Sequence, residues 1–358
     1  MMAVLSFFFY FLVTILLMGV LIFVHELGHY MTARACHVTI YEFSIGMGKR
    51  LWGYTSPKTG IQYSLRLIPV GGFVSMAGED ETKDGEEDDP NAFNKKGVWQ
   101  RILILAAGAA MNILTGFLAM LVLTAGMCLA GYSLPSTTVA EFAEGAPSYV
   151  SGLEKGDRII SIDGVRVHTG YDLTYEITFN GYQPVDLVVE RDGQTILIPD
   201  VRFPTGEEKG ILLGGMDFRV YAAENTVENI LKTALYRGTS SIKMVFDSLG
   251  GIITGRFSIT DLSGPIGMTT SVQEVATKPM AGWNILYLFA VIAMNLGVMN
   301  LRPLPALDGG RLFFRFVEVL RFGRPVNEKV EATIHGVGMM LLLGLMAFIA
   351  LKDVFMLF

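Results

Sequence analysis

The sequence predicts a membrane protein, mainly α-helical, with four transmembrane helices and a smaller α+β domain inserted between the second and the third. Of its 358 residues, 51% are hydrophobic and only 17% are charged, whereas soluble domains are usually about 25% charged. Four stretches lack Asp, Glu, Lys and Arg, and each is long enough for the roughly 20 residues that a bilayer-spanning helix needs. These stretches are residues 1–24, 102–140, 279–301 and 332–351.

The first stretch is expected to be a retained helix and not a cleaved signal peptide. No basic residue precedes it, and its apolar run continues into His25 and Glu26 without a cleavage site of small residues. The second stretch is longer than one span, so its end at 126–135 is expected to leave the membrane as a linker. Four spans place both termini on the same side of the bilayer.

A soluble β-rich domain is predicted between the second and third spans. Gly152–Val167 alternates short apolar runs with Gly-Asp and Asp-Gly turns, and residues 182–199 indicate two more strands around Asp192 and Gly193. The chain is therefore divided into a membrane half, the soluble domain, a linker and a second membrane half. The predicted limits of these parts are 1–130, 131–205, 206–278 and 279–358.

Within the linker, residues 226–255 have the pattern of an amphipathic helix. Lys232, Arg237 and Lys243 are spaced among apolar positions. Two interpretations remain open, because such a helix can pack on a soluble domain or lie on the membrane surface.

The distribution of charge predicts the topology and limits the partners. The formal net charge is −6, so no basic excess indicates nucleic-acid binding. Basic residues are concentrated in 37–101 and 302–331, and the positive-inside rule places both loops in the cytoplasm and the β-rich domain outside. The acidic run 79–89 is expected to be a solvated loop without a chemical role. Two cysteines, Cys36 and Cys128, are too few for a disulfide framework or a four-cysteine zinc site.

The strongest chemical signal is the sequence HELGH at residues 25–29, at the end of the first span. On a helix, His25 and His29 share one face. Two imidazoles placed in this way can hold a zinc ion, which lowers the pKa of a bound water, and Glu26 can take the proton of that water. Ionisable groups next to an uncharged span are costly and indicate a functional site. The motif therefore predicts a zinc site.

A catalytic zinc usually has a third protein ligand and an open position. The first and third spans run in the same direction, so their C-terminal ends lie on the same side, and Asp308 follows the third span. Pro303 and Pro305 hold the backbone before it extended. Asp308 could also cap the helix predicted at Gly309–Val319, and capping and ligation are compatible. Structural or surface roles are expected for the other histidines, His37, His168 and His335.

Taken together, these motifs resemble the site-2 protease family, the intramembrane zinc metalloproteases of peptidase M50 type. The resemblance covers nearly the whole chain and is closest to the bacterial branch that has a single PDZ domain and acts in regulated intramembrane proteolysis. It rests on HELGH and on further motifs at 69–74 (PVGGFV), 93–101, 152–167, 263–267 (SGPIG), Asn295 and 300–310 (NLRPLPALDGG).

The resemblance implies zinc ligands and a catalytic acid/base, which are His25, His29, Asp308 and Glu26. It also implies a re-entrant β-hairpin at 65–76 that pairs with an unwound substrate segment. The implied substrate-binding residues are Asn295, Asn300, Pro303, Pro305, Gly71, Gly72, Phe73, Val74 and Asn112. Where the family usually has a proline after the glycine corresponding to Gly108, this chain has Ala109, so the second span is expected to bend less there.

By resemblance, the chain is a zinc-dependent intramembrane endopeptidase of the bacterial inner membrane. Its substrates would be single-pass proteins cut within their transmembrane segments, such as membrane-anchored anti-sigma factors and remnant signal peptides. The active site would face the cytoplasmic side. The soluble domain would be an extracytoplasmic PDZ domain that binds a peptide or chain end by β-addition.

Two other classes of function are weighed against a protease. A non-catalytic membrane PDZ scaffold would bind no zinc and would have no need of Glu26. A zinc transporter or metal chaperone would use the two motif histidines and Asp308, but it would need further polar ligands within the spans. Few such residues are available, namely Asn112, Asn295 and His335. The sequence therefore favours the protease.

Overall fold

The computed structural model describes residues 2–79, 89–208, 210–258 and 264–355. The chain divides into two compact units, Met1–Gly116 together with Ile259–Phe358, and Phe117–Ser258. Most of the predicted acidic loop, and Ser263 of the SGPIG motif, lie outside the described residues.

Helices occur in both units. The described helices are α1 (Met2–Ala35), α2 (Val98–Leu129), α3 (Pro147–Val150), α4 (Gly170–Asn180), α5 (Val227–Ile253), α6 (Pro265–Thr277), α7 (Ala281–Asn300), α8 (Asp308–Leu320) and α9 (Glu328–Phe355). Of these, α1, α2, α7 and α9 are long and apolar enough to cross a membrane. They coincide with the four uncharged stretches, so the predicted membrane class is confirmed. A 3-10 turn, Phe93–Lys95, precedes α2.

The described strands form three sheets. They are β1 (Ile40–Thr55), β2 (Gln62–Met76), β3 (Leu134–Phe142), β4 (Arg158–Ile162), β5 (Val165–Arg166), β6 (Val185–Arg191), β7 (Gln194–Val201), β8 (Thr205–Glu208), β9 (Ile211–Gly214) and β10 (Phe218–Ala223). The β1–β2 sheet belongs to the first unit, and the other two sheets belong to the second.

All of the segment 65–76, for which a hairpin is predicted, lies in β2. Ser44 of β1 pairs with Ser64 and Phe73, and Ile45 pairs with Leu65 and Gly72. The first part of β1 therefore lies between the two ends of β2. Apolar side chains of this sheet share one core cluster with α1 and α2, including Ala33, Phe43, Val74, Ile104 and Leu105. This core fixes the sheet beside the HELGH helix.

A glycine lets α1 and α2 approach each other at the HELGH motif. A Cβ atom built on Gly28 would lie 2.8 Å from Met111 Cγ and would also meet the Ala107 backbone. Small residues permit such close contact between membrane helices. The helix α2 continues without a break through Ala109.

A buried ion pair joins the start of α2 to the last turn of α8. Arg101 donates from Nη2 to Glu318 Oε1 at 2.6 Å and from Nη1 to Oε2 at 3.2 Å. Arg101 is 8% exposed and Glu318 is 4% exposed. Arg315 also donates to Glu318, at 3.0 Å. The pair fixes α8, which begins at Asp308, against the helix that packs on HELGH.

We expect Glu318→Gln to destabilise the protein by about 3–5 kcal/mol, because it leaves the Arg101 charge buried without its anion. Thermal unfolding in detergent micelles measures this loss. The double change Arg101→Met with Glu318→Met should be less destabilising than Glu318→Gln alone. The control Glu274→Gln removes one side of an exposed pair with Lys278 and should change stability by less than about 1 kcal/mol. Equal losses of thermal stability in Glu318→Gln and Glu274→Gln would contradict this role of the buried ion pair.

The second unit is built around short strands that pair antiparallel. Its main sheet has the order β10-β3-β4-β6-β7, with β5 paired to β4. Asp192 and Gly193, both at positive φ, form the predicted turn between β6 and β7. The sheet continues beyond residue 205, the predicted limit of the soluble domain, because β10 hydrogen-bonds to β3 with Val220 opposite Val139.

Helix α5 packs against α4 within the second unit. Lys243 Nζ lies 3.0 Å from Glu176 Oε1, and the Tyr175 hydroxyl donates to Asp247 Oδ2 at 2.6 Å. These contacts agree with a helix packed on the soluble domain. Other large apolar side chains of α5 are exposed, and these are Val227, Leu231, Leu235, Phe246 and Ile253.

Candidate active site

Three potential metal ligands meet at the C-terminal end of α1. His25 and His29 are one turn apart, each is 8% exposed, and their Nε2 atoms are 3.2 Å apart. Asp308 Oδ2 lies 2.9 Å from His25 Nε2 and 3.3 Å from His29 Nε2. One possible ligand atom from each of the three residues lies within 4.8 Å of the other two. Two imidazole nitrogens and one carboxylate oxygen are a donor set that zinc accepts.

The remaining ring nitrogen of His29 is held by the backbone of α2. His29 Nδ1 lies 2.8 Å from the Ile104 carbonyl oxygen. Because a carbonyl only accepts, Nδ1 carries the proton and Nε2 presents a lone pair. Metal-binding histidines are usually oriented by such a bond from the other nitrogen. The Nε2 lone pair and the Asp308 carboxylate therefore face each other, an arrangement that a cation would stabilise.

Two asparagines predicted as substrate contacts lie next to the other ligand histidine. The Nδ2 atoms of Asn112 and Asn300 are each 3.4 Å from His25 Nδ1. Asn112 is fully buried, and its Oδ1 accepts no hydrogen bond from the described residues. The two orientations of an amide have nearly the same shape, and with the Asn112 amide turned over, Oδ1 would accept a hydrogen bond from the Nδ1–H of His25. His25 Nε2 would then also present a lone pair to a metal.

Asp308 is the first residue of α8 and does not cap that helix. The N-cap position is Leu307, which makes no side-chain capping bond. Its Oδ2 atom is buried, lies close to both His25 Nε2 and His29 Nε2 and has no hydrogen-bond partner among the described residues. This carboxylate oxygen therefore faces the two histidines without a donor of its own.

The three potential metal ligands, His25, His29 and Asp308, line a cavity of about 610 Å³ in the first unit. Glu26 also faces it, as do Gly72, Phe73 and Val74 of the predicted substrate-pairing segment. A Cβ built on Gly72 would lie 2.9 Å from Glu26 Cγ, so the β2 backbone closely approaches the motif. The cavity lining also includes residues that sequence analysis assigned no chemistry, namely Glu79, Arg311 and His335.

The other predicted substrate contacts lie outside this lining. Gly71 has a positive φ in β2, and Asn295 is in α7 with an Oδ1 that accepts no bond from the described residues. Pro303 and Pro305 lie in the turn that connects α7 to α8. A signal for Arg311 could have been found in its spacing, since it follows Asp308 by three residues and so shares its side of α8. Glu79 and His335 have no such local signal.

We expect Gly108→Ala to weaken metal binding. A Cβ at this position of α2 would lie less than 3.0 Å from the His29 ring, so the imidazole would have to move. Loss of ligand positioning typically costs about 10- to 100-fold in metal affinity, which zinc titration with a competing chelator measures. Gly19→Ala in α1, where a Cβ meets nothing within 4 Å, is the matched control. Wild-type zinc affinity in Gly108→Ala would show that the close contact between Gly108 and the His29 ring does not position this ligand.

A helix that carries HExxH, a facing carboxylate and a cavity lined by the intervening glutamate define a metallopeptidase site in a protein with membrane-spanning helices. The family model "Peptidase family M50" matches residues 13–345. The chain belongs to this family, the site-2 protease family of metalloendopeptidases, and its metal is zinc.

Individual relatives agree with this assignment. A zinc metalloprotease of Clostridium perfringens is 33% identical over 347 residues, covering 96% of this chain and 98% of the relative. A zinc metalloprotease of Clostridium acetobutylicum is 34% identical over 348 residues, covering 97% and 98%. The regulator of sigma-W protease RasP of Bacillus subtilis is 28% identical over 424 residues, covering 96% and 98%.

Proposed function

We propose that this protein cuts single-pass membrane proteins within their transmembrane segments. The observation that carries the proposal is the position of the HELGH motif on α1. The spanning part of that helix is Leu5–Ala35, and His25, Glu26 and His29 lie inside it. A peptidase site on a spanning helix meets peptide bonds at membrane depth, where ordinary proteases do not reach.

The proposed chemistry assigns one role to each residue. His25, His29 and Asp308 hold the metal. Bound zinc supplies Lewis acidity, which polarises the peptide carbonyl and makes water a nucleophile near neutral pH. Glu26 takes the proton from the attacking water and transfers it to the leaving amine nitrogen. His25 and His29 are buried, and burial strengthens these electrostatic interactions.

The substrate is proposed to bind as an extended strand. A transmembrane helix satisfies its own backbone hydrogen bonds, so it must unwind before cleavage, and its freed amides then need partners. Segment 65–76 offers such partners by β-addition. Its residues Gly72, Phe73 and Val74 line the cavity beside Glu26, which supports this role. Further contacts are proposed for Gly71, Asn112, Asn295, Asn300, Pro303 and Pro305.

The soluble domain is proposed to be a PDZ domain outside the cytoplasm. Among the described strands, β10 pairs only with β3, so its second edge is available for an added peptide strand or chain end. The exposed apolar side chains of α5 are proposed to rest on the membrane surface. The active site is proposed to face the cytoplasmic side of the bacterial inner membrane, which the basic loops support.

We propose membrane-anchored anti-sigma factors and remnant signal peptides as substrates. The name of the Bacillus subtilis relative, regulator of sigma-W protease, supports the first class. Membership of a peptidase family favours this function over a non-catalytic scaffold and over a zinc transporter.

Cleavage of a model substrate tests the proposal. The purified protein is reconstituted in liposomes with a single-pass protein that has a short extracytoplasmic tail, and the products are mapped by mass spectrometry. We expect a cut inside the apolar segment, and none when the chelator 1,10-phenanthroline is present. Cuts confined to the soluble tails of the substrate would contradict intramembrane proteolysis.

A further inference from the structure

His335 lies in the wall of the catalytic cavity, although it comes from α9, far from HELGH in the chain. The same cavity is lined by His25, Glu26, His29 and Asp308. The two motif histidines are already engaged as proposed ligands. His335 is therefore a third imidazole at this site, and the proposed mechanism gives it no role.

The protonation of the His335 ring is set by the turn before Asp308. The Ala306 backbone N–H donates to His335 Nδ1 at 3.1 Å. A nitrogen that accepts a hydrogen bond carries a lone pair, so in the neutral imidazole the proton is on Nε2. Ala306 has a φ of 75°, which is unusual for alanine. The bond thus ties the ring to a strained turn that ends at a proposed metal ligand.

The ring is held rigidly by neighbours from two elements. A Cβ on Gly310 would lie 2.9 Å from His335 Cε1, so only glycine leaves room for the ring there. The Phe314 ring packs edge-on at 5.6 Å between centroids. One turn further along α9, a Cβ on Gly338 would lie 3.1 Å from the Pro305 carbonyl carbon. The last helix is therefore packed tightly against the turn that precedes α8.

The His335 Nε2 atom is buried and has no hydrogen-bond partner among the described residues. A buried donor without an acceptor is costly, and such exceptions call for an explanation. At a peptidase site, the substrate can supply the acceptor for such a donor. The carbonyl oxygen of the scissile peptide becomes negative as water attacks, and preorganised donors stabilise this charge.

We propose that His335 is a catalytic residue whose Nε2–H donates to the carbonyl oxygen of the scissile peptide bond. The proton stays on Nε2 throughout, and no bond of the ring breaks. This inference rests on the proposed peptidase function and adds to it an electrophilic group contributed by the last helix. The bond from Ala306 and the packing of α9 on Pro305 hold the ring in the wall of the cavity.

Three substitutions distinguish the role of the acceptor Nδ1 of His335 from that of the donor Nε2. His335→Asn keeps an acceptor near the Nδ1 position and removes the donor at Nε2. His335→Gln places an amide N–H near the Nε2 position and loses the acceptor for Ala306. His335→Leu removes both. We expect His335→Asn to retain wild-type zinc content and thermal stability while kcat falls about 100-fold and KM changes little, and His335→Gln to be more active than His335→Leu.

Binding of inhibitors provides a measurement that does not depend on turnover. A phosphinic peptide that resembles the tetrahedral transition state should bind His335→Asn more weakly by about the same factor as the loss in kcat/KM. In the Glu26→Gln background, the uncut substrate should bind equally well with or without His335→Asn. Wild-type kcat in His335→Asn, or unchanged phosphinate affinity, overturns the proposal.

Loss of zinc in His335→Asn also overturns the proposal, because His335 would then only position the Asp308 turn. A wild-type protein that binds the phosphinate but cuts no peptide refutes the proposed function instead. In that case the effect of His335→Asn on phosphinate affinity still decides the role of His335.

Discussion

Glu26→Gln is expected to abolish peptide cleavage while leaving zinc bound. Glutamine has nearly the shape of glutamate but cannot accept the proton of the attacking water. General acid–base groups contribute about 10²- to 10⁴-fold to rate, so kcat should fall by at least 100-fold. Because Glu26 faces the cavity and is not one of the three grouped ligand atoms, the metal content measured by atomic emission should stay near that of the wild type.

The control for this substitution is Glu228→Gln, which lies in the first turn of α5 and outside the lining of the cavity. It should cleave at the wild-type rate. Two results would count against the assigned role of Glu26. One is cleavage by Glu26→Gln within a factor of a few of the wild type, and the other is loss of zinc together with activity.

Asp308→Ala is expected to remove both zinc and activity. The carboxylate provides the only anionic donor of the three grouped ligands, and without it two neutral imidazoles remain. Displacing supporting residues around metal sites already costs about 10- to 100-fold in affinity, so removing a ligand should cost at least about 100-fold. Competition with a fluorescent zinc chelator measures the change.

Two further variants test whether the loss of zinc comes from loss of the Asp308 ligand. Asp163→Asn changes an exposed acid in the turn between β4 and β5 and should leave zinc affinity unchanged. Asp308→Asn keeps an oxygen donor without the charge and should bind zinc better than Asp308→Ala. If Asp308→Ala retained stoichiometric zinc with wild-type affinity, Asp308 would not be a ligand.

The membrane helices could be predicted because their signal is local. An uncharged run of sufficient length specifies a spanning helix whatever its neighbours, and the four predicted stretches coincide with α1, α2, α7 and α9. The i, i+4 spacing of His25 and His29 likewise fixes their shared face. The approach of Asp308 followed from topology, since the first and third spans run in the same direction.

Features that depend on distant pairing could not be predicted in the same way. The strand β10 lies in a segment assigned to the linker, and its place in the sheet depends on pairing with β3, far away in the chain. The bond from His29 Nδ1 to the Ile104 carbonyl depends on how α1 packs against α2. Backbone acceptors carry no sequence signature.

The position of His335 illustrates the same limit. A single histidine in an apolar helix has no periodic pattern, and a structural role is the natural expectation. Its relation to the cavity follows only from the contact of α9 with Ala306, Gly310 and Phe314. Sequence therefore indicated the metal-binding motif, whereas the structure was needed to find the other groups in the cavity wall.

X-ray absorption at the zinc edge of the purified protein tests the proposed ligand set, because it reports the atoms around the metal. We expect one zinc per chain, with two imidazole nitrogens and oxygen donors at about 2.0–2.1 Å, and loss of one imidazole contribution in His25→Ala. A zinc–sulfur distance near 2.3 Å, or a spectrum that His25→Ala does not change, would contradict it.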